Sequence, residues 1–203
     1  MSHQLYRGDI PENLDFGALV AIDTEAMGLN PHRDRLCLVQ LSAGDGTAHL
    51  VQFAPGDYAA PRLRELLADP TVTKLFHFAR YDLAMLYRYL GVMAHPLYCT
   101  KIASRLARTF TDRHGLRDLC KDLLGIEVSK QQQSSDWGTE ALSADQLRYA
   151  AADVLHLHAL RARLDAILAR EGRAALARAC FEFLPHRVLL DLAGWAEQDI
   201  FAH

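Results

Sequence analysis

The sequence predicts an α/β fold in a single domain, with a mixed sheet flanked by helices. Its 203 residues suit one domain with a sizeable core. Three short apolar runs come first, and helical periodicity dominates after residue 60. Strands followed by helices, with one further strand among them, are typical of a sheet covered by helices.

The first three strands are expected at 17–23, 35–42 and 47–53. Their sequences, "GALVAID", "RLCLVQLS" and "TAHLVQF", are short and largely apolar. The turn-forming sequence "AGDG" separates the last two, which favours a tight hairpin. An antiparallel three-strand meander is therefore predicted.

Helical spacing dominates the rest of the chain, with one short strand, "TKLFHF", at 73–78. Glycines at 91 and 125 are predicted to end two of the helices. Ser143 and Gln146 form a capping-box pattern at the start of a long helix. The polar stretch 127–141 before it is predicted to be a loop. Helices are expected at 60–69, 79–91, 101–108, 114–125 and 143–170.

Bulk properties exclude several functional classes. A formal net charge of -3 argues against a broad basic face for long nucleic acid. The four cysteines lack C-x-x-C spacing, so buried reduced thiols are expected rather than a zinc or redox site. No signal-peptide pattern is present, and no apolar run approaches the ~18 residues of a membrane span. A cytoplasmic protein without membrane contact is predicted.

Four carboxylates lie at the ends or flanks of apolar elements. Asp23 and Glu25 are two residues apart at the end of the first strand, so both point to one side. Asp82 lies near the start of a helix that follows a strand. Tyr149 and Asp153 share one helix face at i and i+4. Each residue alone could be a cap, a turn or a packing residue, but together they indicate one cleft.

A cleft with four carboxylates needs a counter-charge, because each unit of upward pKa shift reflects ~1.4 kcal/mol of unfavourable interaction. Oxygen ligands of this kind suit Mg²⁺ or Mn²⁺. Two such divalent cations would form the clamp that phosphoryl transfer uses, one activating water and the other stabilising the leaving oxygen. Tyr149, with an ordinary pKa near 10, is a poor base. It is therefore expected to hold the attacking water by a hydrogen bond.

The segments "DTE", "FHFARYD" and "YAAAD" resemble the three motifs of the DEDDy class of 3′-to-5′ exonucleases, which have a ribonuclease H-like fold. The resemblance runs from about the first strand to the helix at 143–170. It departs from the class at Phe78, where many members carry asparagine. The resemblance implies that Tyr149 positions water. It also implies that the metal ligands are Asp23, Glu25, Asp82 and Asp153.

Within that class, "YCTKIASRLA", "HGLRDL" and "SSDW" resemble ribonuclease D-like enzymes. The short length, together with "GLNPHRDRLCLVQLS", "TDRHGLRDL", "SKQQQSSDW" and "DIFAH", is similar to the compact nanoRNase C group. That resemblance implies cleavage of very short RNA, above all diribonucleotides, by a ring-shaped homo-octamer. Ribonuclease D-like trimming of longer structured RNA is the alternative enzyme. A non-catalytic nucleic-acid-binding module is a third interpretation, which the gathered negative charge opposes.

Several further residues are predicted to bind substrate. Leu29 falls where the class places an apolar side chain against the terminal bases, with core packing as the alternative. Thr24 is a further candidate, and so is His77, unless it is a structural histidine. The loop "SKQQQSSDW" offers groups for phosphate and sugar, and an indole that could stack on a base or be buried. Its candidates are Lys130, Gln133, Ser135 and Trp137.

Two surface features complete the prediction. Lys101, Arg105 and Arg108 share one helix face, which could contact substrate or only solvent. Residues 1–175 are expected to form the exonuclease domain. Residues 176–203 form an apolar C-terminal extension, which needs a partner surface on its own domain or on a neighbouring subunit.

Overall fold

The computed structural model describes residues 2–129, 131–132 and 134–202. It confirms the α/β class, with a six-stranded mixed sheet in the order β1-β4-β3-β2-β5-β6. The strands are β1 (Ser2–Arg7), β2 (Leu19–Ala26), β3 (Leu36–Ser42), β4 (Thr47–Gln52), β5 (Thr73–Phe76) and β6 (Leu97–Cys99). The helices are α1 (Pro61–Ala68), α2 (Ala79–Leu90), α3 (Thr100–Ala107), α4 (Leu116–Leu119), α5 (Ala144–Leu155), α6 (Leu157–Arg170) and α7 (Ala174–Leu190).

The predicted meander is confirmed, because β2 pairs with β3 and β3 with β4, both antiparallel. Strand β5 extends the sheet parallel to β2, and β6 continues it parallel to β5. All seven residues of β3 are buried, so both faces of this central strand are covered. Helix α5 packs on β2, β3 and β4, while α2 also contacts β2 and β3.

Strand β2 is longer than predicted, since it continues to Ala26 instead of ending at Asp23. Both acidic residues therefore belong to the strand itself. Two other strands were not predicted. Strand β1 pairs with the sheet edge through a mostly exposed, polar segment, and β6 has only three residues. Neither has the long apolar run that marks a buried strand in sequence.

The helix predicted from 143 to 170 is broken at His156. Helix α5 packs on the sheet before the break, and α6 packs on α3 after it. The change of packing partner accounts for the break, because hydrophobic periodicity reports burial without reporting the surface that covers it. The capping box of Ser143 and Gln146 is confirmed. So are the left-handed caps at Gly91, which ends α2, and at Gly125, which ends a turn of π-helix, Cys120–Leu124, that follows α4; their φ values are 69° and 70°.

The long helix α7 contacts α2, α3, α6 and β6 of the same chain. The predicted division at residue 175 falls within its first turn. One turn of π-helix, Asp191–Trp195, follows directly. Among the residues described, no helix is both long and apolar enough to cross a bilayer. All four cysteines are free thiols, and three of them are buried.

Candidate active site

Three of the predicted carboxylates converge between the central strand and a packed helix. Asp23 and Glu25 project from β2, and Asp153 projects from α5. One carboxylate oxygen from each lies within 4.8 Å of the other two. Gln40, on the neighbouring strand β3, donates to Asp23 Oδ2 at 3.4 Å. The i, i+2 spacing and the packing of α5 on β2 therefore produce the predicted cluster.

Asp82, in the first turn of α2, lines the same cavity as the cluster. Its side chain is buried, and Thr24 Oγ1 donates to Asp82 Oδ1 at 2.7 Å. Thr24 is 5% exposed. The hydroxyl of Thr24 thus orients Asp82, while the residue also lies on the cavity lining, where its contact with substrate stays a prediction.

Burial raises the pKa values of all four carboxylates, and the charges of neighbouring carboxylates raise those of Glu25, Asp82 and Asp153 further. Burial raises the pKa of Asp23 to about 7, although a hydrogen bond from the Thr24 backbone opposes the rise. The pKa of Glu25 is raised well above its ordinary value by burial and then by the charges of the other three. Burial and the charge of Asp23 likewise raise the pKa values of Asp82 and Asp153. Four anions cannot coexist here without a compensating charge.

This donor set fits divalent metal ions. The oxygens of Asp23, Glu25 and Asp153 are near enough to share an ion, and all are carboxylate oxygens, the type that Mg²⁺ and Mn²⁺ prefer. Among the described residues, no salt bridge pairs a basic side chain with any of the four carboxylates. A bound cation would supply a positive partner.

Tyr149 lies one helical turn before Asp153 on α5 and lines the cavity. Burial raises the pKa of its phenol, and the negative charge of Asp153 raises it further. The hydroxyl therefore remains protonated at neutral pH and can act only as a hydrogen-bonding group. This agrees with the predicted role of holding water rather than accepting its proton.

The carboxylates open into a cavity of about 1270 Å³. Leu29 lies on its lining and is 86% exposed, so the alternative of core packing is wrong. Ser135 also lines it, and its Oγ accepts from Gln146 Nε2 at 3.2 Å. Lys130 and Gln133, the other predicted loop contacts, lie outside the described residues.

Trp137 also lines the cavity but is only 2% exposed. Its ring packs toward that of Tyr149, with 6.1 Å between the ring centroids. A buried indole does not present a free face to a base. The geometry thus favours the alternative for this residue, a loop held by a buried tryptophan that supports Tyr149.

His77 lies directly after β5, on the cavity lining. Its Nδ1 is 2.8 Å from Thr100 Oγ1, and that hydroxyl donates its proton to the carbonyl of Phe76. His77 Nδ1 must therefore be the donor, which leaves Nε2 as an acceptor. Burial and the charge of Lys101 lower the pKa of the imidazole to about 3, so the ring is neutral.

Sequence reasoning missed one group of lining residues, in the segment 191–197. Its Asp191, Leu192, Ala196 and Glu197 form part of the wall. Arg80 anchors this segment, with Nη2 donating to Asp191 Oδ1 at 2.7 Å and to the carbonyl of Ala196 at 3.1 Å.

Phe78, at the turn into α2, and Lys101, in the first turn of α3, also line the cavity. The helix face of Lys101 was predicted to contact either substrate or solvent. Arg108, on that same predicted face, is buried and paired with Asp122. The basic face is therefore not a single surface.

The chain is similar to known proteins over most of its length. Residues 9–169 match a family described as 3′-5′ exonuclease. A structure of Brucella melitensis NrnC bound to pGG is 56% identical, with a TM-score of 0.97, and the match covers 100% of this chain and 99% of that one. A structure of Brucella melitensis NrnC with bound Mg²⁺ is 55% identical, with a TM-score of 0.96 and full coverage of both chains.

A curated relative, the ribonuclease D of Granulibacter bethesdensis, is 39% identical over 156 residues. The match covers 77% of this chain and 39% of that enzyme. The chain thus spans about two fifths of the length of this curated relative. Together with the sheet order, these likenesses confirm the predicted ribonuclease H-like fold.

Proposed function

The chain belongs to the 3′-5′ exonuclease family, as its motifs predicted, and from that premise we propose that it hydrolyses short RNA from the 3′ end to 5′-mononucleotides. The observation that carries this proposal is the cluster of Asp23, Glu25 and Asp153 beside Tyr149 in a large open cavity. Buried carboxylates repel one another, and they also repel a phosphodiester unless metal ions are bound. The arrangement therefore suits catalysis better than simple binding.

Asp23, Glu25, Asp82 and Asp153 would hold two divalent cations, Mg²⁺ or Mn²⁺. When bound, such ions acidify the attacking water and stabilise the leaving oxygen. The Mg²⁺ present in the NrnC structure supports this assignment.

The protein's own groups would orient the reaction. Tyr149 keeps its proton and directs the water by a hydrogen bond. The water oxygen bonds to phosphorus, and the bond from phosphorus to the 3′ oxygen of the preceding nucleotide breaks. The attacking water gives up a proton to solvent, the leaving oxygen takes up a proton from solvent to become a new 3′ hydroxyl, and the terminal residue leaves as a 5′-mononucleotide. His77 Nε2 is an acceptor suited to a ribose hydroxyl.

We propose diribonucleotides as the preferred substrates. The full-length likeness to NrnC, a protein whose structure contains pGG, supports this choice. The cavity of about 1270 Å³ also exceeds the roughly 300–1,000 Å³ of small-molecule sites, which leaves room for two nucleotides. We further propose that Leu29 contacts the terminal bases, that Ser135 contacts the backbone, and that the enzyme acts in the cytoplasm, where such RNA fragments arise.

Ribonuclease D-like trimming of longer structured RNA is the second candidate. It is favoured by the curated ribonuclease D relative at 39% identity, although the match covers only part of that enzyme. The two candidates share chemistry and differ in the length of RNA that reaches the carboxylates.

Turnover as a function of RNA length separates them. A 5′-phosphorylated dinucleotide is expected to have a kcat/KM about tenfold or more above that of a ten-nucleotide RNA with the same 3′ end, a difference of ~1.4 kcal/mol in transition-state stabilisation. Product release is followed by chromatography with Mg²⁺ at constant ionic strength. A higher kcat/KM for the longer RNA would assign the chain to the trimming function.

We also propose that the chain assembles as a homo-octameric ring, in which the C-terminal residues contact a neighbouring subunit. Large apolar side chains that are exposed in a single copy support this, among them Leu176, Phe110 and Phe201 at 54%, 82% and 64%. Light scattering is expected to give about eight times the chain mass of 22.7 kDa. A stable monomer at micromolar concentration would contradict the ring.

A further inference from the structure

Phe78 occupies a strained backbone position at the edge of the cavity. Its φ of 67° and ψ of 44° place it in the left-handed region, immediately before α2. Within the described part of the chain it is the one residue other than glycine with a positive φ. Such a conformation is strained for any residue with a side chain, and it is rarest for bulky side chains. A glycine here would avoid that strain.

The strain does not serve to bury the aromatic ring. Phe78 is 46% exposed and lines the cavity, whereas its neighbours Phe76 and Ala79 are fully buried. Its backbone position fixes the turn from β5 to α2, the helix that carries Asp82 in its first turn. The side chain is therefore held rigidly at the rim, near the carboxylates, with apolar surface presented to the cavity.

Lys101 completes the arrangement from α3. Its Nζ lies 4.1 Å from the centroid of the Phe78 ring, well within cation–π range. Lys101 lines the cavity and takes part in none of the salt bridges among the described residues. Its ammonium group is thus an available positive charge in the cavity of the four carboxylates, which Arg80 and Arg117 also line.

We propose that Phe78 and Lys101 form a nucleobase-binding subsite. The Phe78 ring stacks on a base of the bound RNA, and the Lys101 ammonium, held against the ring, neutralises a backbone phosphate. Because stacking grows with the area of the base, the subsite favours purines over pyrimidines. This inference rests on the proposed function, since it assigns part of the same cavity to RNA.

Phe78→Gly is the decisive variant, because glycine accepts the positive φ and removes only the ring. For a purine dinucleotide we expect KM to rise about 10- to 100-fold, the range of one lost base stack, with kcat changed less than about threefold. For a pyrimidine dinucleotide the rise is smaller, so the purine preference of the wild type disappears. Phe78→Tyr is expected to keep both the KM and the preference.

Tyr87→Ala is the matched control. Tyr87 is an exposed aromatic residue on α2, the helix that follows Phe78, but it is not on the cavity lining. Its KM and purine preference should equal those of the wild type. Lys101→Met should raise KM for both dinucleotides equally and weaken the salt dependence of binding.

A measurement of binding without hydrolysis tests the subsite separately from the proposed function. The dissociation constant for a purine dinucleotide phosphorothioate is measured by calorimetry in Ca²⁺ for each variant. The subsite is overturned if the wild type cuts dinucleotides and Phe78→Gly has the same KM, affinity and purine preference as the wild type. A wild type that binds but cuts no RNA overturns the proposed function, and a loss of affinity in Phe78→Gly then still supports the subsite.

Discussion

Asp23→Asn and Asp153→Asn are each expected to lower kcat/KM on a dinucleotide by about a thousandfold or more while the protein remains folded. Each change removes one anionic oxygen from a group whose members lie within 4.8 Å. Loss of a charge that organises the transition state costs factors of this size, because the remaining groups cannot rearrange to replace it. Initial rates with millimolar Mg²⁺ and circular dichroism of each variant provide the measurement.

The matched control for Asp153 is Asp145→Asn on the same helix. Asp145 is exposed in the first turn of α5, where it pairs with Arg148. An exposed pair of this kind contributes about 0–1 kcal/mol, so activity should be unchanged. Full Mg²⁺-dependent activity in Asp23→Asn would show that the metal assignment is wrong.

Tyr149→Phe belongs in the same series with a smaller effect. It keeps the ring that packs toward Trp137 and removes only the hydroxyl. We expect kcat to fall about 10- to 100-fold with the metal dependence intact, since a single orienting hydrogen bond is lost. A variant as inactive as Asp23→Asn would give Tyr149 more than an orienting role.

The metal-free wild type is expected to lose stability relative to Asp23→Asn as the pH rises from about 4 to about 7. Folding raises the pKa of Asp23 from its ordinary 3.8 to about 7, so the folded state holds a proton that the unfolded state releases. Stability from that proton is complete below pH 3.8 and is lost as the pH approaches 7. Glu25 and Asp153 shift in the same direction.

The titration of His77 changes stability with pH in the opposite direction, but its contribution cancels when wild type and Asp23→Asn are compared. Burial lowers the pKa of His77 to about 3, so its contribution to stability is present above about pH 6.5 and is lost as the pH falls. This contribution is the same in wild type and variant and cancels in the difference between them. Urea unfolding in EDTA across pH 4 to 8 measures that difference.

Adding Mg²⁺ should reverse the trend for the wild type. Ions bind the ionised carboxylates of the folded state, so their stabilisation grows with pH as protons leave. Asp23→Asn should respond more weakly. A wild type whose stability is insensitive to Mg²⁺ at pH 8 would contradict the cluster as a metal site.

Short-range geometry explains why most of the site could be predicted. Period-2 alternation directs Asp23 and Glu25 to one side of β2, and an i, i+4 step places Tyr149 with Asp153 on α5. These relations hold whatever surrounds them. The extent of β2 was misjudged because charged residues usually end a strand, whereas here the site itself lies inside the strand.

Long-range contacts could not be predicted in the same way. Thr24 and Asp82 are 58 residues apart, and Arg80 and Asp191 are 111 apart. Each pair contains ordinary surface residue types, so composition provides no signal. The backbone of Phe78 was equally hidden, because a positive φ in a bulky residue is imposed by the surrounding fold and not by local preference.

The anchoring of residues 191–197 also determines the order in which the parts of the cleft are made during synthesis. Arg80 lies two residues before Asp82, yet its partner Asp191 is made more than a hundred residues later. Arg187 joins it, with Nε donating to Asp191 at 2.9 Å and Nη2 to the carbonyl of Trp195 at 2.6 Å. During synthesis, all four carboxylates are therefore made before this part of the cleft wall. The complete cleft can form only after residue 197 has been added.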